Sequence, residues 1–108
     1  MNIETYSRGS FRVIAVRDRI TVEFDTASLI GAVGQEARRG EGNIALRFTS
    51  DSYLSTKSIS AIVQCSSIVE KLNGQMAVVA PNEEILNSLK TTGLDSLVRV
   101  FRSEDAIP

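Results

Sequence analysis

The sequence predicts an α/β domain: a mostly parallel central sheet of about five strands, its N-terminal strand an antiparallel edge, with about four helices. Three observations carry this expectation. After two strand-like segments at the N-terminus, helical and strand-like patterns alternate to the end of the chain, the order that right-handed βαβ crossovers produce. QMAVVA (Gln75 to Ala80) is a nearly continuous apolar run, as in a strand buried on both faces of a parallel sheet. From about Thr56 to Leu72, apolar residues recur at helical spacing over a stripe broad enough to cover a sheet.

The elements follow in order. NIETY reads as a short edge strand, joined through Ser7-Arg8-Gly9-Ser10 as a hairpin turn to FRVIAVRDRI. Asp25 or Thr26 can cap a helix whose apolar positions are Leu29, Ile30, Val33 and Ala37, and RRGEGN stops it with basic residues followed by glycine. Gly31 and Gly34 weaken that helix by up to about 1 kcal/mol each relative to alanine. NIALRF is a short strand. In the following helix Ile59, Ile62, Val63 and Val69 form one apolar row, widened by Ala61, Cys65, Ile68 and Leu72, and Asn73-Gly74 ends it. Pro81-Asn82 breaks QMAVVA from a helix marked by Ile85, Leu86 and Leu89 and closed by Thr92-Gly93. LVRVF is the last strand, and SEDAI can start a short terminal helix with Ser103 as cap.

Composition narrows the function. With 108 residues, 43% hydrophobic and 23% charged, the chain can bury a core as one domain without metals or disulfides. A net charge of −1 gives no basic field for nucleic acid or anionic membrane. There is no histidine, which removes the commonest general base, the Ser-His and Cys-His nucleophile arrangements and most catalytic zinc sites. No cofactor or metal site is expected, and no nucleotide-binding glycine motif is present. Cys65, the single cysteine, falls inside a helical apolar pattern and reads as a small core residue. The N-terminal MNIETYSRGS is polar and unlike a signal peptide, so a cytoplasmic location is expected.

The stretch from Ser50 to Ser60, SDSYLSTKSIS, carries six Ser or Thr hydroxyls around one Lys at the entrance of the long helix. Ser55 is placed to be the N-cap, accepting a hydrogen bond from the Lys57 or Ser58 amide, with Thr56 and Lys57 in the first turn. A helix N-terminus also favours an added phosphate, which brings about −1.5 to −2 charges and accepts bonds from free amides. Capping with a solvated loop and a regulatory hydroxyl therefore both fit this composition.

The order of segments resembles the STAS domain of bacterial anti-sigma-factor antagonists. YLSTKSIS (Tyr53 to Ser60) sits where that family carries its signature between a strand and a long helix, and Thr92-Gly93-Leu94 matches its downstream TGL. The resemblance implies a single STAS-like domain, without catalysis, that binds an anti-sigma factor of the serine/threonine kinase type. By that resemblance Thr56 falls on the phosphorylatable hydroxyl, and Thr21, Ser55, Thr56, Lys57, Ser58 and Ser60 form the partner-contact surface. Ser55 stands in place of an Asp, Lys57 in place of a small residue, and Ser58 and Ser60 in place of two glycines; Thr21 stands where an Asp commonly follows the second strand. The alternative is a divergent STAS scaffold, unphosphorylated, in a signalling assembly or a lipid-transport complex.

Overall fold

The computed structural model describes residues 1–40 and 42–108. Five strands form one sheet in sequential order: β1 (Ile3–Arg8), β2 (Phe11–Val16), β3 (Asn43–Arg47), β4 (Gln75–Val79) and β5 (Arg99–Phe101). β1 pairs antiparallel with β2, and the remaining pairs are parallel. Helices α1 (Thr26–Arg38), α2 (Thr56–Lys71) and α3 (Glu83–Thr91) fill the three crossovers. The expected terminal helix is a single 3-10 turn, Glu104–Ala106, and Ser103 makes no side-chain cap bond. That segment is too short to propagate and carries no apolar repeat to hold it against the sheet.

Side-chain alternation sorts the strands into two cores. Ile14, Val16, Ile44, Leu46, Met76 and Val78 face a layer built from Leu29, Val33, Ile62, Cys65, Val69, Ile85 and Leu89, so the apolar sides of all three helices lie on one face. Sequential strand order with crossovers of one hand demands this. On the opposite face Phe11, Val13, Ala15, Ala45, Ala77, Val79 and Phe101 cluster with Ile107 of the C-terminal segment. Each residue from Met76 to Ala80 is buried, as the apolar run implied.

The hairpin is tighter than expected. Arg8 already pairs with Phe11, leaving Gly9-Ser10 as a two-residue turn. Gly9 takes φ 57°, and a Cβ there would lie 2.1 Å from the Pro108 carbonyl oxygen. The turn therefore needs glycine both for its dihedral and for the close approach of the chain end. That end is fastened by the Ser10 amide donating to Pro108 O (3.0 Å) and by Arg8 pairing with Asp105 (2.6 Å). Arg47 reaches Glu104 (2.6 Å) and donates to the Tyr6 hydroxyl (3.0 Å), which in turn bonds Glu104. Burial and the Glu104 carboxylate push the Tyr6 phenol above its ordinary value, with Arg47 opposing.

Each helix end has a chemical cause. Asp25 caps α1, Ser55 caps α2 and Asn82 caps α3, with acceptors for Ser28, Ser58 and Ile85 amides respectively. Beyond α2, Asn73 adopts φ 63°. The Gly74 amide reaches Val69 O (2.9 Å) and the Asn73 amide reaches Glu70 O (3.0 Å), the paired bonds of a Schellman stop. In the RRGEGN stop of α1, Gly40 turns with φ 88°, whereas Glu41 lies outside the described residues.

The buried side of α2 is rotated from the apolar row read in sequence. Ser58, Ala61, Ile62, Cys65, Ser66 and Val69 are buried, while Val63 and Leu72 are exposed. α2 lies between α1 and β4, and small residues suit the sides where it meets these neighbours. Burial raises the Cys65 thiol to about 12, in keeping with a core cysteine. Charge also enters the core: Glu36 of α1 is 5% exposed, with Arg12 of β2 at 3.7 Å.

Ile62 has no exposed surface and belongs to the helix-side core. Ile62→Ala is expected to cost about 2–5 kcal/mol by leaving a cavity, read as a lower urea midpoint with an unchanged slope. A midpoint equal to the parent's would show that α2 does not close this core.

Candidate functional site

The site grows from the loop between β3 and α2. Arg47 ends β3; the chain then turns at Thr49, whose hydroxyl donates to Asp51 Oδ1 (2.7 Å) and lies 2.6 Å from Ser52 Oγ. Ser52 is 1% exposed and its Oγ accepts the Ile20 amide at 2.7 Å. The Tyr53 amide answers with a bond to Ile20 O (2.9 Å), so the segment after β2 and this loop are tied by two bonds. Asn82 closes the arrangement from α3: its Nδ2 donates to Ser50 O and Ser52 O, both at 2.9 Å, while its Oδ1 accepts the Ile85 amide. One side chain thus caps a helix and holds the neighbouring loop.

Past this clamp, Ser55 leaves extended geometry (φ −89°, ψ 172°) to start α2. Its Oγ accepts the Ser58 amide (3.3 Å), and Ser58 Oγ accepts the Ser55 amide (2.7 Å). This is a capping box in which a serine takes the place usual for Glu or Gln. Ser58 also donates to Ser55 O at 3.0 Å. The Ile59 amide makes the first helical bond, to Ser55 O at 2.9 Å. The Thr56 and Lys57 amides precede any intrahelical acceptor and stay at the helix mouth.

The hydroxyls therefore divide by role. Ser52, Ser55 and Ser58 hold the loop and the helix start, whereas Thr56, Lys57 and Ser60 are exposed. Ser58, expected with the partner-contact residues, has no exposed surface and leaves that set. Its hydroxyl is satisfied by the cap, and the Cβ that a glycine would lack fills core space. Thr21 is half-buried next to Ile20, so the clamp carries it to the same end of the domain as Tyr53 and α2. α1 begins there too: the Ser28 hydroxyl and amide hold the Asp25 carboxyl below its ordinary value, and the nearby Lys57 charge adds to this.

Sequence reasoning placed Ser55 and Thr56 but missed Ser52 and Asn82. Asn82 carried a signal, since an Asn preceding Glu83-Glu84 and an apolar run has the composition of an N-cap. Its second role depends on a contact 30 residues away and had none. Among the described residues, no group of three or more His, Cys, Asp or Glu is arranged to hold a metal ion. Among the described residues, no helix is long and apolar enough to cross a membrane.

A family model described as STAS domain matches residues 4–107. The chain belongs to the STAS domain family. Among solved structures, this STAS domain is similar to a crystal structure of a Thermotoga maritima protein provisionally assigned as an anti-sigma factor antagonist. The TM-score is 0.78 at 21% identity, over 94% of this chain and 86% of that one. An NMR structure of the same protein gives 0.73 at 21% identity, over 94% and 81%. At that identity the likeness establishes the fold. No curated protein matches the chain.

Buried Ser58 and exposed Ser60 give a direct test of the division. Ser58→Ala strands the Ser55 amide and is expected to cost about 1–2 kcal/mol in urea unfolding. Ser60→Ala is expected to stay within about 0.5 kcal/mol of the parent. Equal effects would contradict the capping assignment.

Proposed function

We propose that this STAS domain is an anti-sigma-factor antagonist-like regulator that binds an anti-sigma factor of the serine/threonine kinase type in the cytoplasm. Phosphorylation of Thr56 controls that binding. The observation that supports this reading most is the exposure of Thr56 at the first position of α2, on a helix start whose geometry does not depend on its hydroxyl. Modification there adds charge to the surface while the cap and the clamp stay intact.

The chemistry of the switch follows from the same place. A phosphoryl group on Thr56 lies beside the free amides of the helix mouth and beside Lys57, which favour it within the domain. A partner that covers Thr56 must instead remove water from nearly two added charges, and binding is lost. Thr21, Ser55, Lys57 and Ser60 complete the proposed contact surface. The domain contributes no catalytic group; the kinase supplies the chemistry.

A second reading, an unphosphorylated scaffold in a signalling assembly or a lipid-transport complex, draws support from Lys57. This exposed cation beside Thr56 stands where the family places a small residue, and it enlarges the surface that a kinase must enclose. Incubation with a kinase-type anti-sigma factor and ATP is expected to add one phosphate by intact mass, and Thr56→Ala to prevent it. The phosphorylated domain is expected to bind that factor at least about 100-fold more weakly, roughly 2.7 kcal/mol. A phosphate at another residue, or unchanged affinity after modification, would overturn the switch. Absence of binding in every nucleotide state would favour the scaffold.

A further inference from the structure

A cavity of about 220 Å³ opens at the carboxyl ends of β2 and β3, lined by Ala15, Arg17, Arg47, Thr49, Ser50 and Pro81 among others. Open parallel sheets place ligands at this edge, where strands end and connections diverge. The cavity is smaller than the roughly 300–1,000 Å³ of drug-sized pockets, so its occupant is small. Its charged lining residues are two arginines and no carboxylate.

Both arginine side chains are part-exposed, at 39% for Arg17 and 38% for Arg47. Arg17 directs Nε and one terminal nitrogen to a single oxygen of Glu4, at 3.1 and 2.8 Å. Arg47 uses one terminal nitrogen for Glu104 and Tyr6. A guanidinium has five N–H groups in a planar fork, so each arginine keeps donors beyond those its protein partners engage. Glu4 is 59% exposed on the edge strand, and such an ion pair is weak enough for a second anion to exchange with it. The Thr49 hydroxyl already donates its hydrogen bond to Asp51, which leaves the exposed Ser50 as the hydroxyl donor at the rim.

We propose that this cavity binds a small oxyanion of the phosphate or phosphomonoester class, held between Arg17 and Arg47 with Ser50 as a further donor. Two arginines lining one small space suit a tetrahedral oxyanion, whose several oxygens can accept from both. The site is separate from Thr56, and Glu4 and Glu104 act as its built-in competitors. An anion that takes Arg47 also weakens the hold of Glu104, and with it the C-terminal segment over the sheet.

The test is an NMR titration of the whole chain with sodium phosphate, against sodium chloride at matched ionic strength. Phosphate is expected to give saturable shifts at the Thr49 and Ser50 amides that chloride does not. Arg17→Gln, at an exposed position, is expected to weaken binding at least tenfold, and Glu4→Gln to tighten it severalfold by removing a competitor. Glycerol phosphate in a parallel arm distinguishes the sources: saturation by both probes assigns a phosphomonoester, and saturation by phosphate alone assigns the free ion. Non-saturable shifts with both probes, shifts spread over all the arginines, or equal affinity in Arg17→Gln would overturn the proposal.

Discussion

The Ser52 hydroxyl and the Asn82 carboxamide form the constraint on which the rest of the functional end depends. Between them they fasten the segment after β2, the β3–α2 loop and the start of α3, three stretches far apart in sequence. Buried loop backbone needs partners, and here the partners are side chains because no strand continues past the sheet edge. Once these bonds form, Tyr53 and Ser55 have fixed positions, and α2 must start where it does. Thr56 is displayed by this chain of consequences and contributes nothing to it.

The opposite face of the sheet shows a second economy. Sequential strands send every helix to one side, which leaves β2, β3 and β4 without a helix layer on the other. Alanines at 15, 45 and 77 keep that face thin in its middle, so little material is needed to cover it. Phe11 and Phe101 meet edge to face at 5.8 Å, and Arg99 lies over Phe101 at 4.9 Å from the ring centroid. The C-terminal segment does the rest, with Ile107 seated in the cluster and Glu104 bridged to Arg47 and Tyr6. A few residues thus replace a layer of helix, and their ion pairs stand next to the arginine-lined cavity.

The parallel sheet and its helices were legible because their signals are local and periodic. QMAVVA announces a strand buried on both sides, and Ser55 announces a cap whose donor amide lies two or three residues on. What escaped the sequence was set by neighbours. Val63 and Ile62 are both apolar, yet Ile62 lies in the helix-side core and Val63 is exposed, a difference set by what packs around α2. Glu36 reads as surface charge on a helix, yet Arg12 meets it beneath α1. Ser58 is a polar residue in a polar stretch, and its burial follows from a reciprocal bond with Ser55 that makes the hydroxyl compatible with the core. The short C-terminal helix stops at one 3-10 turn: Ser103 has cap chemistry, but no apolar repeat follows to extend it.

Hydrogen exchange at the Ile20 amide tests the clamp most directly, because this amide is held by the Ser52 hydroxyl alone among the side-chain bonds of the loop. Loss of a buried hydrogen bond costs about 1–3 kcal/mol, equivalent to a rise of roughly 5- to 150-fold in exchange. In Ser52→Ala, Ile20 is expected to exchange at least tenfold faster than in the parent, while the strand amides of Ile44 and Val78 keep their protection. An unchanged rate at Ile20, or an equal rise at all three amides, would contradict a loop held in place by its own hydroxyls.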